Sequence, residues 1–369
     1  MNKPSSTLCG RLSHLFLQKP TSAAVAPTVR DQNLLNFANQ FKKESNSPGF
    51  RRNRSVYKSA VRRLTHAGEF SAVHDILDHQ KRYPDIKDEH FTVRLICLYG
   101  EAKMVDHAQK LFDEMPQLNC PQTVISFNAL LASCLPSRRF WKIVELFREL
   151  PGKLSIKPNT ISYNYVIGAL CEMGYLDEAL QMLKDMEENG VEPNVVAFDS
   201  LLGAFYCSGM FKDAENIWEL MLGKRIVPNL RCHNWRLHGL LGEKRLQEAM
   251  ELLNGLEGKG LKPNAHTYNM MIKANEGNLD EVKKLYGTMV DKGCDPDFMT
   301  CMTVITFACD GSDIDFAFEL CKKHFGVKRR VSNKIMKRVI DELVERSEMD
   351  KAKELLDLVE SKDEKRGPG

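Results

Sequence analysis

The stretch ISYNYVIGALCEMGYLDEALQMLKDMEENGVEPN, from Ile161 to Asn194, is matched thirty-five residues later by VAFDSLLGAFYCSGMFKDAENIWELMLGKRIVPN, from Val196 to Asn229. Few residues are identical, yet each stretch has an apolar run, a central glycine, a following alanine and a closing Pro-Asn. This is typical of a structural repeat. Any apolar residue can fill a core position, whereas glycine, alanine and proline meet backbone and close-packing demands that few other residues satisfy.

Each stretch predicts a helical hairpin. In the first stretch, apolar residues at helical spacing form one stripe before Gly174 and a second stripe after it. The stripes consist of Tyr163, Val166, Ile167 and Leu170, and of Leu176, Ala179, Leu180, Leu183 and Met186. Gly174 accommodates the positive φ that ends the first helix, Gly190 ends the second, and Pro193 prevents its continuation. One hairpin cannot bury both stripes, so neighbouring hairpins must stack.

The same register extends over nearly the whole chain. A small or β-branched residue recurs at the position of Ala179, and the spacing defines about nine units, which together span residues 54–367. The units begin near Arg54, Glu89, Val124, Thr160, Val195, Leu230, Ala265, Phe298 and Asn333. The seventh unit is two residues short, which predicts a shortened first helix or turn. The sequence therefore predicts an all-α, right-handed superhelical solenoid of helix-turn-helix repeats.

The period and several phrases resemble the pentatricopeptide repeat family, in particular its P class of thirty-five-residue units. The phrases are ISFNALLASCL, ISYNYVIGALCEMG, HTYNMMIKA, LDEAL and GVEPN. The resemblance is strongest over residues 124–297, and the first two and last two units are degenerate. It implies binding of single-stranded RNA at about one base per repeat, with the fifth and last residues of a repeat contacting the base edge and the second residue clamping the base.

These positions can be assigned in this chain from the register. The resemblance implies that base recognition falls to amide and carboxylate residues in the five best units: Asn128, Asn159, Asn164, Asn194, Asp199, Asn229, Asn234, Asn264, Asn269 and Asp297. Its clamping positions are Ile125, Ile161, Val196, Arg231 and His266. Arg231 and His266 depart from the usual aliphatic residue, although a guanidinium or imidazole plane can also stack on a base. The Asn/Asn and Asn/Asp pairs imply a preference for pyrimidines.

A purely structural interpretation of the same residues stays open. An asparagine near a helix start often caps the helix, and an asparagine after proline often forms a turn. At the fifth positions of the degenerate units the structural role is favoured; these are Lys58, Val93, Met302 and Lys337.

The phosphate contacts expected of the family are weak here. Position thirteen, commonly lysine in the family, is never lysine or arginine where the register is clear: His66, Glu101, Pro136, Glu172, Cys207, Gly242, Asp310 and Glu345. Because phosphate neutralisation supplies much of the affinity for nucleic acid, this predicts a weak grip on free RNA. Basic residues do cluster at Arg51, Arg52, Arg54, Arg62 and Arg63, and at Lys328, Arg329 and Arg330, where they either hold an RNA backbone or are simply solvated.

No enzymatic activity, catalytic residue or cofactor is predicted. The sequence has no HExxH, GxSxG or Walker-type motif, its eleven cysteines include no CxxC pair, and no metal site is expected. Most cysteines lie in apolar helical patterns, which predicts buried, reduced thiols. No room for a further catalytic domain is expected after the ninth unit. The absence of a long apolar run predicts no membrane partner, and no small-molecule substrate is expected.

The N-terminus is typical of an organelle transit peptide. Residues 1–30 hold Lys3, Arg11, Lys19 and Arg30, no acidic residue, and an amphipathic run LCGRLSHLFL. Without those four charges the net charge of +3 falls to −1. We expect a transit peptide at 1–30, a linker at 31–53 and the solenoid at 54–367. The expected location is the mitochondrial matrix, with the chloroplast as the alternative.

Two classes of function fit these features. One is a structural component of the mitochondrial ribosome that binds ribosomal RNA and ribosomal proteins and supports translation, as short P-class members of plant mitoribosomes do; the run from Gly68 to Leu135 resembles theirs. The other is a free adaptor that reads a single-stranded organellar transcript for processing, stabilisation or translation. The near-neutral charge favours the first class, and the intact amide pairs favour the second.

Overall fold

The computed structural model describes residues 27–325 and 331–364, and every regular element in them is helical, which confirms the all-α prediction. The residues outside these ranges include most of the predicted transit peptide, the basic residues Lys328, Arg329 and Arg330, and the last five residues of the polar tail. The contacts divide the chain into two compact units, one ending at Pro228 and the other beginning at Asn229.

The helices follow one another in pairs joined by short turns. In chain order they are α1 (Pro27–Glu44), α2 (Pro48–Arg52), α3 (Arg54–Ala67), α4 (Phe70–Asp78), α5 (Glu89–Glu101), α6 (Val105–Glu114), α7 (Val124–Ser133), α8 (Phe140–Leu154), α9 (Thr160–Met173), α10 (Leu176–Glu188), α11 (Val195–Cys207), α12 (Phe211–Gly223), α13 (Leu230–Gly242), α14 (Leu246–Gly255), α15 (Ala265–Ala274), α16 (Leu279–Asp291), α17 (Phe298–Asp310), α18 (Ile314–His324), α19 (Asn333–Glu345) and α20 (Met349–Glu364). Short 3₁₀ turns span His79–Arg82, Pro84–Lys87, Leu135–Ser137 and Glu257–Lys259.

The described residues form nine hairpins, whose first helices are the odd-numbered helices from α3 to α19. Each of these helices begins at the residue where the sequence register starts a repeat. In the seventh unit α15 has only ten residues, whereas α13 and α17 have thirteen, so the predicted shortening falls in the first helix.

Local chemistry explains why the hairpin of α9 and α10 begins and ends where it does. Asn159 caps α9 at its N-terminus, and Gly174 ends the helix with φ at 79°, a conformation that costs glycine little because it has no Cβ. Gly190 adopts φ of 72° after α10, and Pro193 follows.

The core lies between the helices of neighbouring hairpins. In the compact unit that ends at Pro228, α9 packs against α7, α8, α10 and α11. In the compact unit that begins at Asn229, α17 packs against α15, α16, α18 and α19. The residues in the register of Ala179 are fully buried: Val73, Ala108, Ile143, Ala179, Ala214, Ala249, Val282, Ala317 and Ala352. They lie where helices approach closely, so extra methylenes at the alanine sites would cost about 1–3 kcal/mol each. Each of the two compact units is therefore a solenoid of stacked helical hairpins.

The N-terminal segment differs from the linker predicted over residues 31–53. It forms α1 and α2, and α1 packs against α4 through buried Leu34, Ala38 and Phe41. The Phe41 ring also meets the Tyr57 ring edge-on at 5.0 Å. These two helices cover the apolar face that the first hairpin leaves without a preceding neighbour, as terminal caps of solenoids do.

Most described cysteines are buried, but not all of them. None of the ten described cysteines forms a disulfide; six of them are buried, whereas Cys97 and Cys207 are exposed. Burial raises the pKa of the Cys134 thiol to about 11 and that of Cys321 to about 12, so both remain protonated at neutral pH.

Candidate nucleic-acid interface

The last residue of each repeat from the third to the seventh caps the first helix of the following repeat. Asn159 has an extended backbone, and its side-chain Oδ1 accepts hydrogen bonds from the backbone N–H groups of Ile161 at 3.1 Å and Ser162 at 3.2 Å. The caps of the following helices are Asn194, Asn229, Asn264 and Asp297, all through side-chain oxygen. The capping role left open by the sequence is therefore confirmed.

The fifth residue of the unit contacts this same cap. Asn128 donates from Nδ2 to Oδ1 of Asn159 at 3.0 Å, and Asn164 donates in the same way to Asn194 at 3.2 Å. Asn269 donates to Asp297 at 3.1 Å. Three of the predicted recognition pairs are thus brought side by side and hydrogen-bonded.

Helix capping favours one orientation of these amides. The cap turns its oxygen towards the backbone N–H groups, so a fifth residue that bonds to that oxygen does so through its NH₂ group. Among the described residues the Nδ2 groups of Asn159 and Asn194 have no protein acceptor. The capping and recognition roles are therefore compatible, because the cap orients the polar groups that the pair leaves for a ligand.

Asp297 gives its unit a different chemical character. Burial opposes ionisation of its carboxyl group, but hydrogen bonds from the Thr300 N–H, the Asn269 amide and the Thr300 hydroxyl outweigh that effect and hold its pKa below the usual range. Asp297 is consequently an anion at neutral pH and offers only acceptors.

The pair of Asn234 and Asn264 lies in an open cleft of about 470 Å³. The cleft is lined by Leu230, Arg231, Asn234, Trp235, Asn264 and His266. The guanidinium carbon of Arg231 lies 6.0 Å from the centre of the Trp235 ring. The cleft thus combines two amides with three planar side chains, the groups that contact the edge and the face of a nucleobase.

The second residues of the units form an exposed row. Ile125, Ile161 and Val196 are 42–52% exposed although they are aliphatic, and Arg231 and His266 are exposed as well. The row continues at Met299, which is 58% exposed and was not singled out by the sequence analysis. Its register position, second in the unit that begins at Phe298, was the signal that could have identified it.

The remaining predicted pair, Asp199 and Asn229, is divided between the two compact units. Asp199 is buried on α11 in the compact unit that ends at Pro228, and Asn229 caps α13 in the compact unit that begins at Asn229.

The basic cluster around α2 and α3 is only partly available to a ligand. Arg51 is 6% exposed and forms an ion pair with Asp85 at 2.7 Å, and it also donates to the carbonyl of Ser45 at 2.8 Å. It is therefore a buried, paired residue, and neither alternative left open for the cluster, RNA binding or simple solvation, applies to Arg51. Arg63 lies over the Phe37 ring at 4.4 Å. Arg52 and Arg54 are exposed.

Three of the four acidic residues at position thirteen are paired with cations of an adjacent unit. Glu101 lies 3.2 Å from Lys58, and Asp310 lies 2.6 Å from Arg338. Glu172 lies 3.4 Å from Arg138. Lys58, at a fifth position, is thus engaged with a carboxylate, in line with the structural role favoured for it. These exposed pairs contribute little stability, but they neutralise charge that could otherwise meet phosphate.

Two further features concern other kinds of site. The described residues contain no group of three or more His, Cys, Asp or Glu side chains placed to hold a metal ion. None of the described helices is long and apolar enough to span a membrane.

Comparison with known proteins identifies the family. The family model named PPR repeat family matches residues 158–207 and 232–275, and the PPR repeat model matches residues 94–120, 125–153, 196–226 and 266–294. Together the matches cover more than half of the chain and include the second unit, which the sequence analysis had classed as degenerate. The chain belongs to the pentatricopeptide repeat family.

Two relatives are plant ribosomal proteins. The chain is 41% identical over 186 residues to the small ribosomal subunit protein mS79 (rPPR3b) of Arabidopsis thaliana, covering 48% of this chain and 47% of the relative. It is 43% identical over 185 residues to the small ribosomal subunit protein mS78 (rPPR3a) of the same plant, covering 47% of this chain and 46% of the relative. The matched region thus spans about half the length of these relatives.

The fold comparison agrees. The crystal structure of the pentatricopeptide repeat protein PPR10 from maize matches with a TM-score of 0.50 at 20% identity, covering 97% of this chain and 59% of that one. At this identity the likeness establishes the fold alone.

Proposed function

We propose that this protein is a non-catalytic, RNA-binding component of the mitochondrial ribosome that supports translation. The observation that carries the proposal is its relation, at 41% and 43% identity, to two small ribosomal subunit proteins. A further relative that is 42% identical over 139 residues has a name that places it in mitochondria, which supports the same organelle for this chain.

The geometry of the interface supports RNA as the ligand. Hydrogen-bonded amide pairs recur from unit to unit beside an exposed row of aliphatic residues. This arrangement pairs a polar group for a base edge with an apolar surface for its face, as single-stranded RNA requires. The Asn pairs are proposed to recognise pyrimidine bases. Asparagine amides do not transfer protons at neutral pH, which agrees with a binding role rather than a catalytic one.

The charge of the interface favours the ribosome over a free transcript. Three position-thirteen carboxylates neutralise Lys58, Arg138 and Arg338, and where the register is clear no lysine or arginine stands at position thirteen to bind phosphate. A ribosomal protein tolerates weak individual contacts, because neighbouring contacts raise the effective concentration of each one. We therefore assign ribosomal RNA and ribosomal proteins as the partners.

A free transcript adaptor is the second candidate, and the intact amide pairs favour it. Sedimentation of mitochondrial extract with and without magnesium separates the two. A ribosomal component runs with one subunit at about one copy per particle and stays with it after mild nuclease treatment. If the protein sediments in light fractions, or leaves the particle once messenger RNA is digested, the ribosomal assignment fails and the adaptor function is retained.

A further inference from the structure

The amides at the fifth positions differ in how their oxygen is held. Oδ1 of Asn128 accepts a hydrogen bond from the hydroxyl of Ser162 at 2.6 Å, and Oδ1 of Asn234 accepts one from the hydroxyl of Thr267 at 2.9 Å. Ser162 and Thr267 are each the third residue of the following unit, and both are fully buried. Each hydroxyl lies in the capping box of its own helix and also reaches back to the amide of the preceding unit.

Two other fifth-position amides lack this bond. The residue in the register of Ser162 that follows Asn164 is Ala197, which has no hydroxyl, and Oδ1 of Asn164 is buried without a donor among the described residues. After Asn269 the register residue is Thr300, but its hydroxyl binds the Asp297 carboxylate at 2.9 Å. Oδ1 of Asn269 is left buried without a donor in the described part of the chain. The anionic oxygen of Asp297 is the stronger acceptor.

The hydroxyl changes how firmly the amide is oriented. With it, Asn128 is held at both ends, because its Nδ2 donates to Asn159 and its Oδ1 accepts from Ser162. Turning that amide over would break both bonds. Asn164 is held only through its Nδ2, so turning it over breaks one bond. An amide that can turn over offers either a donor or an acceptor to a base, whereas one held at both ends offers only the remaining N–H.

We propose that the third residue of each following unit is a positioning residue for base recognition. Ser162 and Thr267 hold the Oδ1 atoms of Asn128 and Asn234, so that these amides present an N–H donor to a base. Such a donor favours a base whose exocyclic group is an acceptor, as in uracil, over one whose exocyclic group is an amino donor, as in adenine, whereas Ala197 leaves Asn164 less selective. This inference rests on the proposed function, because it presupposes that the pairs contact bases. A hydrogen bond of ordinary net strength changes the discrimination at that repeat by about fivefold.

The test compares three variants by their relative affinity for oligo-U and oligo-A at one stated salt concentration. Ser162→Ala removes the hold at Asn128 and is expected to lower the U-to-A affinity ratio about fivefold. Ala197→Ser supplies a hold at Asn164 and is expected to raise the ratio by a similar factor. Ser126→Ala is the matched control: it also loses a capping-box hydroxyl, but the fifth residue of the preceding unit is Val93, so no amide is released.

The outcomes separate positioning from a merely structural role. If Ser162→Ala and Ala197→Ser shift the melting temperature but leave the ratio equal to that of the unmodified protein, the hydroxyls only support the fold and the inference is overturned. If Ser126→Ala lowers the ratio as much as Ser162→Ala does, the effect belongs to the cap and the inference is again overturned. Absence of any preference in the unmodified protein refutes base recognition itself. Should Ala197→Ser misfold, Ser162→Ala with its control still decides the question.

Discussion

Replacing Asn159 by alanine removes the oxygen on which both the cap of α9 and the recognition pair depend. In the folded protein that oxygen accepts from the backbone N–H groups of Ile161 and Ser162 and from the amide of Asn128. The alanine variant leaves the first turn of α9 uncapped, which costs about 1 kcal/mol. It also leaves the nearly buried Asn128 amide without its acceptor, which adds about 1 kcal/mol. The expected loss is about 2 kcal/mol.

Asn159→Asp is the matched variant, because it keeps the acceptor and removes only the NH₂ group. A negative charge at a helix N-terminus contributes about 0.3–1 kcal/mol of stabilisation. We therefore expect the aspartate variant to be at least as stable as the unmodified protein at neutral pH. Its selectivity between RNA bases should nevertheless change, because the donor left for a ligand becomes an acceptor.

Hydrogen exchange at the first turn of α9 and chemical denaturation give the two stabilities, and equilibrium binding to short oligonucleotides gives the selectivity. Exchange is the more direct measurement, because repeat arrays often unfold in parts and not in one step. An alanine variant as protected as the unmodified protein would refute the capping argument. An aspartate variant with unchanged base selectivity would refute the role of the outward NH₂ group.

Other consequences can be measured separately. The nearly buried Glu89 carboxylate accepts from the Thr123 hydroxyl and N–H; burial opposes its ionisation, but hydrogen bonds from Ser126 and Thr123 outweigh it and lower its pKa. Glu89→Gln should therefore lower the free energy of unfolding by about 1–2 kcal/mol at neutral pH. This contribution is present above the ordinary carboxyl pKa and is lost as the pH falls through the lower pKa of the folded state. If chemical denaturation finds the same difference between the two proteins across that pH range, the prediction is contradicted. Arg51→Leu should cost about 2–3 kcal/mol in the same assay, less than a fully buried pair because Asp85 is 25% exposed, and the exposed control Arg52→Leu should cost less than 0.5. Deleting residues 1–30 should leave the protein in the cytosol in a cell-import assay, and mitochondrial import of the truncated chain would refute the transit peptide.

The repeat boundaries could be predicted from sequence because each depends on local chemistry. A cap residue such as Asn159 and a stop such as Gly174 act within a few residues of the helix end, so their spacing shows where each helix begins and ends. The N-terminal helices were missed for a related reason: Leu34, Ala38 and Phe41 have helical spacing, but they lie outside the repeat pattern that defined the register.

The candidate site was predictable in its positions and not in its contacts. The register assigned both Asn128 and Asn159 to base recognition, but nothing in the sequence indicated that the helix cap Asn159 would orient the amide of Asn128. The role of Arg51 depends on Asp85, thirty-four residues away, so the run of arginines left an RNA-binding patch open where the structure has a partly buried ion pair. The hydroxyl of Ser162 is likewise thirty-four residues from the amide that it holds.

The most direct test of base recognition is the affinity of the mature protein for pyrimidine-rich and purine-rich single strands at a stated salt concentration. The unmodified protein should prefer oligo-U to oligo-A. Replacing both Asn164 and Asn269 by alanine should abolish that preference, at about 1–3 kcal/mol for each lost base contact. Equal affinity of the unmodified protein for oligo-U and oligo-A would contradict the account.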